Sequence, residues 1–142
     1  MCIRDRDSDA ASTRQAASTA HLFRQIAQPD TSYLCIPAHV SEERPYFLAG
    51  HFGPEVIASN ANFVAPDPDG LVFALISSSM FVAWQRAVGG RLKSDLRFNK
   101  LLTWNTFPVP TLQSAHRSAI ARAGEAVLLA RSRTSEGPLA AM

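Results

Sequence analysis

Apolar positions along the chain change their period several times, and each change predicts a different element. Ala16, Ala20, Phe23 and Ala27 recur at helical spacing and predict an N-terminal helix over residues 16–27, ended by Pro29 and Asp30. "YLCIP" (Tyr33–Pro37) is aromatic and β-branched, which predicts a short buried strand. The charged, proline-punctuated "AHVSEERPYF" reads as a loop that leads into a second strand at Tyr46–Ala49, and "EVIASNANFVA" (55–65) as two short strands around a turn at Ser59–Asn60. "PDPDG" (Pro66–Gly70) is a turn in which Asp67 or Asp69 is placed to cap the next helix. That helix, Leu71 to Val88, is apolar on most sides and belongs in the core under a sheet. Gly89 and Gly90 stop it, one of them expected in the left-handed conformation. After "FPVP", a last amphipathic helix from Leu112 to about Arg131 places Leu112, Ala115, Ala119, Ala123, Val127 and Ala130 on one face, with Gly137 and Pro138 closing it. The predicted fold class is α+β: a small antiparallel or mixed sheet packed on a central buried helix, with an N-terminal helix and a C-terminal amphipathic helix.

Composition narrows this further. With 142 residues, 46% hydrophobic and 18% charged, the chain suits one globular domain with a modest core. Two cysteines without a CxxC give no disulfide framework, and a reducing, cytoplasmic setting is expected. The most apolar run, Leu71–Trp84, is shorter than a membrane span and is interrupted by Ser77, Ser78 and Ser79, so no membrane partner is expected. The opening "MCIRDR" coincides with the translation of a transposase mosaic-end sequencing adapter (ATG TGT ATA AGA GAC AG, its sixth codon completed by the insert). Residues 1–6 are therefore expected to be an artefact, and the chain a piece cut at both ends.

Charge is unevenly spread. Residues 91–100 hold Arg91, Lys93, Arg97 and Lys100 against the lone acid Asp95, a local charge of +3 where the whole chain carries only +2. Read at period two, Arg91, Lys93, Asp95, Arg97 and Asn99 share one side, and Leu92, Ser94, Leu96 and Phe98 the other. That predicts a strand with one face on a core and an unbroken row of hydrogen-bonding side chains opposite. Leu102 and Trp104 continue the buried phase, with Thr103 and Asn105 polar, after a turn at Asn99–Lys100. Such a ribbon suits the DNA major groove: cations meet phosphates or guanine O6 and N7, a carboxylate accepts from cytosine N4–H, and Asn pairs with adenine. A pure phosphate binder has no use for Asp95. The alternative is a solvated basic face on a non-catalytic protein–protein adaptor, in which Asp95 only pairs with Lys93 or Arg97.

The stretch "YLCIP…SEERPYF…VIASNANFV…ALISSSMFVAWQRAVGGRLKSDLRFNKLLTWNTFPVP" resembles the target-recognition domain of the MmeI-like family. These are large bacterial class I S-adenosylmethionine-dependent DNA adenine methyltransferases, many fused to a restriction endonuclease. The likeness covers about residues 14–134 and is most specific over Trp84–Pro110, where "WQRAVGGRLKSDLRF" runs on into "WNTFPVP". The family's Ser-Ser-Glu-Arg-Arg pattern is departed from at Val40 and Glu43. By that resemblance, Lys93 and Asp95, flanking Ser94, read one base pair, while Arg44, Arg91, Arg97, Asn99 and Lys100 hold the DNA backbone or support the ribbon. The resemblance implies residues 7–110 as the target-recognition domain and 111–142 as the start of a helical region. Its partners would be double-stranded DNA and the methyltransferase domain of the same parent chain.

The transfer chemistry itself is not legible here. Methylation of adenine N6 needs a glycine-rich cofactor turn and an Asn- or Asp-Pro-Pro-aromatic loop. "DPDG" (67–70) lacks the second proline and the aromatic, and "NTFP" (105–108) has the letters in the wrong order. No cofactor site and no catalytic residue is expected within these residues; S-adenosylmethionine belongs to the parent. His21, His39, His51 and His116 lack metal-ligand spacing, and no metal site is expected.

Overall fold

The computed structural model describes residues 6–19 and 28–134. A short helix α1 (Ala11–Ala16) and a 3-10 turn (Ala17–Thr19) begin earlier than the predicted helix, most of which lies outside the described residues. β1 (Tyr33–Pro37) forms where its aromatic and β-branched residues predict. The chain then continues through β2 (His39–Val40), β3 (Gly50–Phe52) and β4 (Asn62–Pro66). β1 is the centre of the first sheet, antiparallel to both β3 and β4, with Cys35 opposite Gly50 on one side and Val64 on the other.

Two strand predictions are corrected. Tyr46–Ala49 is not a strand: Phe47 and Ala49 are buried in the core, but the ladder begins only at Gly50, past Pro45, which has no N–H to give. Of the pair expected over 55–65, only the second forms, as β4. The first is a turn, closed by Val56 N–H on the Gly53 carbonyl (3.2 Å) and pinned by the Tyr33 hydroxyl on the Val56 carbonyl (2.6 Å).

The long core helix is also broken, into α2 (Leu71–Ile76) and α3 (Ser79–Val88). The serines cause the break. Ser78 Oγ donates to the Leu75 carbonyl (2.6 Å) and accepts from Phe81 N–H (3.1 Å), so one hydroxyl ends α2 and caps α3. At the start of α2, buried Asp67 accepts from the amides of Val72 (3.0 Å) and Phe73 (2.8 Å), while Asp69 takes the weaker contact to Leu71 N–H (3.3 Å). Gly70 makes the left-handed step between them, at φ 69°. Gly89, by contrast, is extended (φ −74°, ψ 152°), and neither it nor Gly90 is left-handed. Space decides at Gly89: an added Cβ would lie 2.0 Å from Gln85 Nε2.

The second sheet has the order β2–β6–β5, all antiparallel, with β5 Gly90–Leu92 and β6 Asp95–Arg97. Phe81 of α3 lies in the core, its ring edge-on to Phe47 (5.7 Å) and to Phe107 (5.2 Å). After β6, residues Lys100–Trp104 wind into a π-helical turn, not a strand. The inside-outside pattern therefore inverts: Thr103 is fully buried while Leu101 and Leu102 are exposed.

α4 (Ser114–Thr134) covers the α2 side of the core, and its predicted apolar face is corrected. Ala115, Ala119, Ala123, Val127 and Ala130 are exposed; Ile120, Ala121, Gly124 and Leu128 turn inward. The crossing point explains the choice. A Cβ on Gly124 would lie 2.7 Å from the Cβ of Ala74, so the bare glycine lets α4 and α2 touch backbone to backbone. One turn from the end of α4, Arg131 donates to the Ala49 carbonyl (2.6 Å) and lies over the rings of Tyr46 and Phe73. Burial draws its guanidinium below the usual arginine range, partly offset by Tyr46. The observed architecture is the α+β class predicted, with two small antiparallel sheets in place of one.

Candidate nucleic-acid interface

The basic ribbon is a hairpin. Residues 91–98 do not run straight: the chain reverses after Leu92, and β5 pairs with β6 as Leu92↔Asp95, Arg91↔Leu96 and Gly90↔Arg97. Lys93 and Ser94 form the two-residue turn, with Lys93 at φ 57°, the positive φ that primed hairpin turns require at their first position. Glycine, asparagine or aspartate is the usual signal for such a turn, and none stands at 93 or 94, so the letters do not announce it.

A two-residue turn exchanges parity between its strands. Asp95 and Arg97 therefore share a face with Gly90, Leu92 and, across β2, His39; Arg91 sits on the side of buried Leu96 and Val40. The single polar row predicted for Arg91, Lys93, Asp95, Arg97 and Asn99 is thus divided. Lys93 is exposed at the tip, Asp95 half-buried just behind it, and Arg97 exposed one step further along β6.

The supporting cations hold the protein as much as they face solvent. Arg91 reaches Glu42 (2.6 Å) and the Ser94 carbonyl (2.9 Å), tying the hairpin to the turn at Ser41–Arg44. Both partners of that ion pair are about half exposed, so it contributes little to stability. Arg44 is half-buried in that turn, and its carbonyl and that of Glu42 each accept from Arg86 of α3 (2.9 Å). Asn99 is committed locally: its Oδ1 accepts from the amides of Leu101 (2.9 Å) and Leu102 (3.0 Å), capping the π turn. Lys100 is exposed beside a shallow apolar groove floored by Phe63, Phe98 and Trp104.

Sequence reasoning missed Gln85 and Arg86, which brace the site from behind. Gln85 is fully buried, with Nε2 on the Arg97 carbonyl at 2.8 Å. Its signal was available: an amide in the apolar run of a core helix needs a partner. Glu42 was also missed. Among the described residues no group of three or more His, Cys, Asp or Glu side chains could hold a metal ion, and no helix is long and apolar enough to cross a membrane.

The family model for the target recognition domain of MmeI matches residues 2–111. This chain belongs to the MmeI target-recognition-domain family. Two relatives accompany that match. DNA methyltransferase A of Bacillus subtilis (strain 168) is 32% identical over 120 residues, 84% of this chain and 14% of that protein. A solved structure of the type IIL restriction–modification enzyme MmeI in complex with DNA superposes with a TM-score of 0.82 at 43% identity, covering 96% of this chain and 18% of that one. The chain thus spans less than a fifth of either relative. The hairpin described above lies within the part of the MmeI target recognition domain that the family model matches.

Proposed function

We propose that this chain is the sequence-reading DNA-binding module of a bacterial DNA N6-adenine methyltransferase, working on base edges in the major groove. The observation that carries the reading is the hairpin tip: an exposed cation at Lys93 and a half-buried carboxylate at Asp95 on either side of Ser94, held over a packed core, within a family whose relatives include a DNA methyltransferase and an enzyme solved with DNA. Lys93 donates to guanine O6 or N7, and Asp95 accepts from N4–H of the paired cytosine, a complementary couple for one G·C pair. Arg97, Lys100 and Arg44 supply phosphate contacts that fix register without carrying sequence information. Arg91 joins them once it leaves Glu42, and Asn99 shapes the turn behind them. Methyl transfer, S-adenosylmethionine and the flipped adenine belong to a methyltransferase domain of the parent protein, which acts in the cytoplasm and in some relatives is joined to an endonuclease. Both sheets here are antiparallel, and no glycine-rich turn between a parallel strand and a helix occurs among the described residues.

The test is a reversal. Lys93→Glu with Asp95→Arg puts the acceptor where the donor was, and the preferred pair should flip from G·C to C·G while the other positions of the site stay as they are. A mismatched pair typically costs about 1–3 kcal/mol, so preference should shift by roughly one to two powers of ten. Each single change should do worse than the double. The readout is the bound fraction across duplexes varied one base pair at a time. A uniform loss of binding with no change of preferred base would remove base reading from this pair.

A further inference from the structure

Behind the hairpin lies a buried amide, and we infer that Gln85 is a specificity-positioning residue: by gripping the Arg97 carbonyl it sets where β6 stands, and so which base edge Asp95 reaches. This inference rests on the DNA-reading role proposed above. Gln85 is fully buried yet polar. Its Nε2 donates to the Arg97 carbonyl (2.8 Å), while its Oε1 has no hydrogen-bond partner among the described residues. An orphaned buried acceptor is unfavourable, and leucine or methionine would fill the space without it. What the amide supplies and those side chains cannot is the hold on Arg97.

That carbonyl is a strategic one. Arg97, like Leu96 before it, stands where β6 pairs with both neighbours, here His39 of β2 and Gly90 of β5. Gly89 clears the path for the amide, since a Cβ there would come within 2.0 Å of Nε2. The next residue of α3, Arg86, holds the carbonyls of Glu42 and Arg44, and Glu42 in turn holds Arg91. One turn of α3 therefore fixes both strands of the hairpin and the flanking turn to a single body. Base contacts demand placement within about 0.5 Å, which side chains reach only from a locked backbone.

The experiment uses the 142-residue chain. Wild type, Gln85→Leu, Gln85→Met and Gly89→Ala are each selected against a pool of random-sequence duplexes, with affinity for a mixed-sequence duplex across salt and melting temperature measured in parallel. Gly89→Ala displaces the amide without removing it, but its Cβ would also lie 2.4 Å from the Gln85 backbone carbonyl, so its melting temperature reports the strain at the end of α3. Val82→Ala, buried on the same helix but with no polar group to hold β6, is the comparator for lost core packing alone. All three test variants should keep mixed-sequence affinity and its salt slope within about twofold, while enrichment of the base pairs under β6 falls roughly tenfold. Val82→Ala should melt lower yet enrich the same sequence as wild type. Enrichment that is unchanged in Gln85→Met and Gly89→Ala, or that simply follows melting temperature across all four variants, overturns the positioning role. A wild type that binds duplexes but enriches no sequence would instead sink the DNA-reading role, and this inference with it.

Discussion

Asp67 shows how much one side chain can settle. Its carboxylate satisfies two amides of the first turn of α2, and its own backbone carbonyl meets His51 Nε2 (2.7 Å). Replacing it with alanine orphans two donors at once, that of Phe73 buried and that of Val72 part-buried. Asp67→Ala should therefore lower unfolding free energy by about 2–4 kcal/mol in denaturant titrations, well above the ~1 kcal/mol of an ordinary exposed cap. Lys93 is the opposite case, a residue whose backbone is strained for the sake of its position. At φ 57° glycine is at ease and lysine is not. Lys93→Gly should leave stability equal or up to about 1 kcal/mol higher while weakening discrimination at its base pair, a combination that thermal melting and duplex binding separate cleanly. Cys35 offers a check by pH. Burial pushes its thiol above the ordinary range, so the folded state holds the proton more tightly than the unfolded chain does. The stability it contributes is present below the unfolded thiol's pKa and fades as pH rises through the folded one. The alkaline fall in melting temperature should accordingly be shallower in Cys35→Ala than in wild type.

At the scale of elements, period gave the kind of element better than its bounds or its inward face: the run Leu71–Val88 is helical, yet Ser78 divides it. β1 and β4 were legible from their aromatic and β-branched residues, and the last helix was legible as a helix but not in its inward face. The ribbon was not: a straight strand puts Leu92 on the buried side with Leu96, whereas the hairpin leaves Leu92 exposed opposite Asp95, and no turn residue at 93 or 94 marks the reversal. α4 was misread for a different reason: alanines mark several faces alike, and the true contact face is chosen by a glycine that hydropathy counts for nothing. Its role can be tested directly. Gly124→Ala should destabilise by about 1–3 kcal/mol, despite the ~1 kcal/mol that alanine gains within a helix, because Ala74 leaves no room. Adding Ala74→Gly should restore most of the loss, and the non-additivity of the pair in denaturant melts measures the contact. Of the candidate site, the residue types and the strip that holds them could be read from the letters. The divided faces and the brace from α3 could not, since both depend on contacts distant in sequence.

For the whole molecule, charge is restrained as well as displayed. Arg91 is held by Glu42 in the absence of DNA, so part of the local positive charge is already answered. Glu42→Gln should raise affinity for any duplex and steepen its salt dependence by up to about one counterion, while lowering the ratio of cognate to mixed-sequence binding; titrations between about 50 and 200 mM salt would show it. Rigidity and adaptability are also allotted to different places. Between Leu92 and Arg97 only Leu96 is buried. The other five side chains lie outside the core, and within the limit that the positive φ sets at position 93 they can be respelled, so a new target sequence is within reach of single substitutions. Length is another matter. One residue gained or lost at Lys93–Ser94 would exchange the faces of a strand and bury the text instead of the margin. Descendants of this domain should therefore diverge at the hairpin by spelling, and keep its count of letters.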